Sequence, residues 1–196
     1  MLEALRKKLT TKGAPLAYEA RRITAQAMFK SLEPKFAMFK ALKITGGSKL
    51  EKEVSAKQQK LLELANGYET VITLGNVEHI VASFFRLGEA HENFAQALFS
   101  APAPPGASQA DLDRFRTELE KVAFPLKEEA YKFFETAYKR STEVETFSPW
   151  TQRSYRKMVE LAPEKHPVVN EMSAAAAYTT HEVKWDSALA DLVTDE

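Results

Sequence analysis

The sequence predicts an all-α protein of stacked antiparallel helical hairpins. Three observations point there. Apolar residues recur at spacings of three and four through most of the chain, the period of one helix face. Glycine and proline cluster at Gly46-Gly47, Gly75, Pro102 to Gly106, Pro149, Pro163 and Pro167, and the stretches between them have helix length. Val and Ile are few and scattered, and no alternating strand pattern occurs.

The first helical segment spans 15–44, with Phe29, Leu32, Phe36 and Phe39 as its stripe. Pro34 lies inside it. It either kinks the helix or starts a second one at its first turn, where a missing N–H does no harm. Segment 48–74 opens on Ser48 as N-cap with Glu51 three residues on, a capping box. Its stripe is Leu61, Leu64/Ala65, Tyr68 and Val71/Ile72. Segment 77–100 follows Gly75-Asn76 and carries Ile80/Val81, Phe84, Leu87/Gly88, His91, Phe94/Ala95 and Leu98. Pro102, Pro104 and Pro105 then force an extended loop as far as Gly106. Ser108 followed by Asp111 caps segment 108–123, whose stripe is Leu112, Phe115, Leu119 and Val122. Pro125 interrupts, and segment 126–141 follows with Ala130, Phe133/Phe134 and Ala137/Tyr138. Ser148 at the N-cap and Pro149 at the first helical position open segment 148–161, which stops at Pro163. The tail holds an alanine run at 174–177 and a candidate short helix over 181–193.

Composition limits the chemistry. The chain has 196 residues and no cysteine, which excludes a disulfide scaffold, a cysteine-ligated metal and a thiol catalyst. A chain this long buries roughly 70% of its unfolded surface and needs no such staple. An apolar content of 44% excludes disordered and collagen-like classes. There is no run of about 18 apolar residues, and Met1 to Leu9 lacks the apolar stretch of a signal peptide. The formal net charge of zero hides a split. Residues 1–60 carry 14 Lys+Arg and 5 Asp+Glu, and residues 61–196 carry 13 and 22. Either the basic third folds beside the acidic remainder, or it presents a surface to nucleic acid, anionic lipid or an acidic partner. No nucleic-acid motif accompanies the charge.

An internal repeat organises the middle of the chain. Tyr68-Glu69-Thr70-Val71 and Phe134-Glu135-Thr136-Ala137 match at an offset of 66 residues. Phe84 and Trp150 each stand thirteen residues beyond these matches, and each is expected to open a new helix. A lone hairpin cannot bury its apolar face, so such units stack, with small residues where backbones approach.

These residues resemble a tetratricopeptide repeat. Phe84-x-x-Leu87-Gly88-x-x-His91 looks like its first helix, with His in place of the usual Tyr. Ala130-x-x-x-Phe134-x-x-Ala137 looks like its second, and Trp150 like the start of a following one, although Arg153, Ser154 and Lys157 depart from the pattern. Leu64-x-x-x-Tyr68-x-x-Val71 is a degenerate second helix. The positions matching His91 and Ala130 stand 39 apart where the repeat has nine, so about 30 residues are inserted, over 92–125. The resemblance covers roughly residues 60–160, and with the charge pattern the chain is expected to divide into basic N-terminal helices over 1–47, a repeat-like body with its insertion over 48–165, and an acidic tail over 166–196.

A narrower resemblance rests on Phe85-Arg86-Leu87-Gly88, Pro102 to Gly106, Pro125-Leu126 and Ser148-Pro149-Trp150-Thr151. This set is similar to the C-terminal region of large repeat proteins in the envelope of predatory and gliding bacteria. Components of adventurous-gliding-motility and trans-envelope complexes belong there. The resemblance implies a protein–protein scaffold, periplasmic or at the outer membrane, and a chain that is a fragment of a longer protein.

Catalytic motifs do not occur. The four histidines, His79, His91, His166 and His181, form neither Glu-x-x-His pairs nor a His-Glu-x-x-His run. Gly46-Gly47 lacks phosphate-loop spacing, and there is no Gly-x-Ser-x-Gly elbow. The expectation is a non-enzyme without cofactor or metal, binding a protein or peptide. No small-molecule substrate or nucleic acid is expected, and a membrane only indirectly. In a repeat stack the groove is lined by exposed residues of the first helix of each hairpin. Here those lie near Ser83, Arg86, Glu89 and Ala90, and near Gln152, Arg153 and Arg156. Arg86, Glu89, Arg153 and Arg156 are the candidate binding residues, with Arg86 and Arg153 suited to hold carboxylates. The alternative function is a binder of nucleic acid or anionic membrane through residues 1–60.

Overall fold

Five helices make up most of residues 18–166, the part described in the computed structural model, and no strand occurs among these residues. The N-terminal seventeen residues, the alanine run at 174–177 and the candidate helix 181–193 lie outside them. The chain divides into two units, 1–165 and 166–196, and the account below concerns the first. The helices are α1 (Tyr18–Ala41), α2 (Leu50–Thr73), α3 (Val77–Phe99), α4 (Gln109–Glu143) and α5 (Pro149–Leu161).

Helix α1 buries Phe29, Leu32, Phe36 and Phe39 on one stripe. It runs unbroken through Pro34, which faces solvent, so the carbonyl freed by the missing N–H is open to water. The expected capping box at Ser48 does not form. Ser48 lies within a short 3₁₀ turn, Gly47–Lys49, and α2 begins without a side-chain cap. Gly46 and Gly47 have φ of 75° and 61°, which turns Thr45 back over the start of α2. There the Glu53 carboxylate accepts from the Thr45 backbone N–H (2.6 Å) and hydroxyl (2.5 Å) and ties the incoming loop to the first turn of α2.

Helix α2 buries Lys57, Leu61, Leu64, Tyr68 and Val71 at spacings of four and three. Gly75 (φ 74°) closes the turn, and the Asn76 side chain caps α3 by accepting from the His79 N–H. Helix α3 is the centre of the fold. Buried residues occur on most of its faces, from Val81 to Leu98, because α1, α2, α4 and α5 all pack on it.

Helix α4 corrects the expectation at Pro125. The predicted helices 108–123 and 126–141 are one helix of 35 residues. Pro125 lies on its exposed side, so again the freed carbonyl has water to bond. Ser108 is the N-cap as read from the sequence, accepting from the Asp111 N–H. Ser148 forms a full capping box with Thr151 at the start of α5, with Pro149 behind it.

Successive helices run antiparallel. Leu32 meets Gly67 and Phe39 meets Lys57 across α1 and α2. Gly88 meets Phe134 and Phe99 meets Phe124 across α3 and α4, and Tyr138 meets Tyr155 across α4 and α5. Alternate helices pack too. Arg86 of α3 bonds Glu33 of α1, and Phe85 and Glu92 of α3 meet Trp150 and Lys157 of α5. The last two contacts have a sequence offset of 65, one less than the repeat read from the sequence. Trp150 stands in the first turn of α5, but Phe84 lies two turns into α3, so Phe84 does not open a helix.

Candidate interaction surface

Arg86 projects from α3 into the junction of α1, α3 and α5. Its Nε donates to Glu33 Oε1 (3.0 Å) and its Nη2 to Glu33 Oε2 (2.7 Å), while Nη1 donates to Glu89 Oε2. Its guanidinium also lies over the rings of Phe36 (4.9 Å) and Trp150 (5.1 Å). Burial would lower its pKa, but the bonds from Glu33 and Glu89 more than offset that and hold the pKa above its ordinary value. Arg86 does grip carboxylates, as its residue type suggested, but they belong to its own chain. Glu89 is one of them. The pair forms a joint between helices, with little of Arg86 left to face solvent.

Ser83 and Ala90, expected at the groove surface, are buried. The reason is that α3 is covered by helices on more sides than the outer helix of a hairpin would be. Arg153 and Arg156 are exposed on α5. Arg153 rests over the outer side of Trp150 at 5.1 Å. The four candidate residues therefore separate into an internal pair, Arg86 and Glu89, and an outer pair, Arg153 and Arg156.

The histidines near the core have structural partners. His91 Nδ1 lies 2.8 Å from the Leu87 carbonyl and its ring packs on Phe133, while His79 Nδ1 lies 2.6 Å from Asn76 Oδ1. Burial lowers the pKa of both. Among the described residues no group of three or more His, Asp or Glu is placed to hold a metal ion. No described helix is long and apolar enough to cross a membrane.

Two features were not legible in the sequence. The first is the N-terminal part of α4. The pairings of Gly88 with Phe134 and of Phe99 with Phe124 fix the register of the α3–α4 hairpin, so residues 109–122 extend past the end of α3. This is roughly 20 Å of helix at 1.5 Å per residue. None of these residues is buried, yet Leu112, Phe115 and Leu119 keep their stripe half-covered. Phe115 and Leu119 border a pocket of about 250 Å³ against Leu98, Phe99 and the loop at Ala101–Ala103. The second is Lys57, whose residue is only 1% exposed. Its Nζ donates to the Phe39 carbonyl (3.2 Å), the Leu42 carbonyl (2.7 Å) and Asn93 Oδ1 (2.9 Å). All three protons are used, and the ammonium caps the C-terminal end of α1. Burial lowers its pKa to about 8.

No family model, curated protein or solved structure matches the chain.

Proposed function

We propose that this chain is a non-catalytic helical interaction module that docks a partner protein. The observation that carries this reading is the projecting part of α4. A segment that keeps Leu112 and Phe115 half-exposed on one stripe, beyond Leu119 where the stripe meets the core, suits a partner's apolar helix. Arg153 and Arg156 offer a second, polar edge on α5.

The resemblance to tetratricopeptide repeats supports the same class. Gly88 packs under Phe134 where that pattern places a small residue, and α3 and α5 meet at nearly the repeat offset. The narrower resemblance adds a setting: a scaffold within a larger repeat protein of a bacterial cell-envelope or gliding-motility complex, periplasmic or at the outer membrane.

Site-specific photo-crosslinking in the source cells tests the reading. A photoreactive residue at Phe115 is expected to capture one defined protein, and Phe115→Asp to abolish a pull-down of that protein while the helical circular dichroism stays unchanged. The same probe at Lys127 is expected to capture nothing. Equal capture at both positions, or none at Phe115, sinks the proposal.

A further inference from the structure

The exposed side of α1 carries a second stripe that the core does not use. Ile23, Pro34 and Met38 lie along it, and Met38 is 70% exposed. Lys30 and Lys35 flank it, Lys40 lies farther round the helix over the Phe36 ring, and Lys43 follows past the helix end, all exposed. The one acid between residues 23 and 43 is Glu33, which is turned inward onto Arg86. None of these four lysines forms an ion pair with a described residue. In α4, by contrast, Lys121, Lys132, Lys139 and Arg140 each pair with a glutamate three or four residues away.

We propose that this face of α1 is a docking surface for an anionic lipid membrane, with Ile23 and Met38 entering the headgroup boundary and Lys30 and Lys35, on either side of them, holding lipid phosphates. The mixture of exposed apolar and basic side chains selects this occupant. A nucleic-acid backbone would satisfy the lysines but would leave Ile23 and Met38 without an apolar neighbour, whereas the interfacial region of a membrane takes both. The proposal is independent of the protein-docking role given to α4.

Flotation of the full chain with vesicles tests it. Vesicles of phosphatidylcholine with 30% phosphatidylglycerol are expected to bind at 50 mM salt and to release the protein at 500 mM. Pure phosphatidylcholine is expected not to bind. Lys30→Gln with Lys35→Gln should lower partitioning roughly 30-fold, from about 1 kcal/mol per lysine near an anionic surface. Met38→Ser should lower it several-fold without changing the dependence on salt. All three side chains are exposed, so thermal melts of the variants should match the parent. Three outcomes would overturn the proposal: equal binding to neutral vesicles, full binding by the double lysine variant, or tight binding to duplex DNA that Met38→Ser leaves unchanged.

Discussion

The ring of Phe134 covers Gly88 so closely that a Cβ on the glycine would stand 2.6 Å from the ring's Cε1 and 2.8 Å from its Cδ1. This contact sets the spacing of α3 and α4 at the middle of the fold. Both residues are buried, and Phe85 packs against the same ring at 5.3 Å between centroids.

Gly88→Ala is therefore expected to destabilise the protein by about 1–3 kcal/mol, although alanine is the better helix former by about 1 kcal/mol. Gly67→Ala should cost less. Its new methyl would meet a Leu32 side-chain carbon, also at 2.6 Å, but that side chain can turn aside where a packed ring cannot. Urea denaturation of the two variants checks the ordering.

Arg86→Met is expected to cost about 2 kcal/mol, because it leaves Glu33 and Glu89 facing each other without their cation. A double-mutant cycle with Glu33→Gln should give a coupling near 1 kcal/mol. The same cycle on the exposed pair Lys60–Glu63 should give at most about 0.5 kcal/mol. Equal couplings would show that the Arg86 joint behaves as an ordinary surface pair.

Pro125→Ala is expected to stabilise by about 1–3 kcal/mol, since it restores a hydrogen bond within a continuous helix and removes the ring's clash with the preceding turn. Two separate helices meeting at Pro125 would instead leave stability unchanged or lower it. A thermal melt decides.

The pKa of Lys57 gives a pH dependence of definite sign. In the unfolded chain the group has its ordinary value of 10.5, and burial lowers it to about 8 in the fold. Between those values the unfolded state binds more protons, so this residue's contribution to stability rises with pH from about 8 to about 10.5. Relative to Lys57→Met, the wild-type protein should gain stability across that window. The difference in urea midpoints at pH 7 and pH 10 measures it, and a flat or falling difference would contradict the buried environment.

Amide hydrogen exchange should separate the two parts of α4. Residues 109–122, none of them buried, are expected to exchange at least tenfold faster than residues 126–141, which include Ala130, Phe134 and Ala137 in the core. Binding of a protein partner at Phe115 would slow the first group selectively.

The α1 stripe was legible as a face because side chains three and four apart share a side of a helix, and all four of its residues are buried. Ser108 and Ser148 were legible as caps because a cap bonds residues two or three positions away. Ser48 failed because Gly46 and Gly47, both at positive φ, lead the chain into a short 3₁₀ turn that holds Ser48, and the helix after it starts without a side-chain cap. Of the candidate site, the sequence located Arg153 and Arg156 on an exposed helix face. It misjudged Ser83 and Ala90, because periodicity gives a helix its faces but not the number of neighbours that cover them.

The sequence by itself determined the all-α class and four of the five helices within a few residues. These depend on hydrogen bonds and side-chain periods that close within a few residues. Only the tertiary structure decided the rest. Arg86 met Glu33 across 53 positions, and Lys57 met Asn93 across 36. Pro34 and Pro125 stayed inside helices because packing turned them to water. The same packing turned Glu33 inward and left the lysines of α1 outward, so the charge split became a surface. A charge or proline in the sequence carries no label for the side of the fold it will face, and burial from distant segments supplies that label.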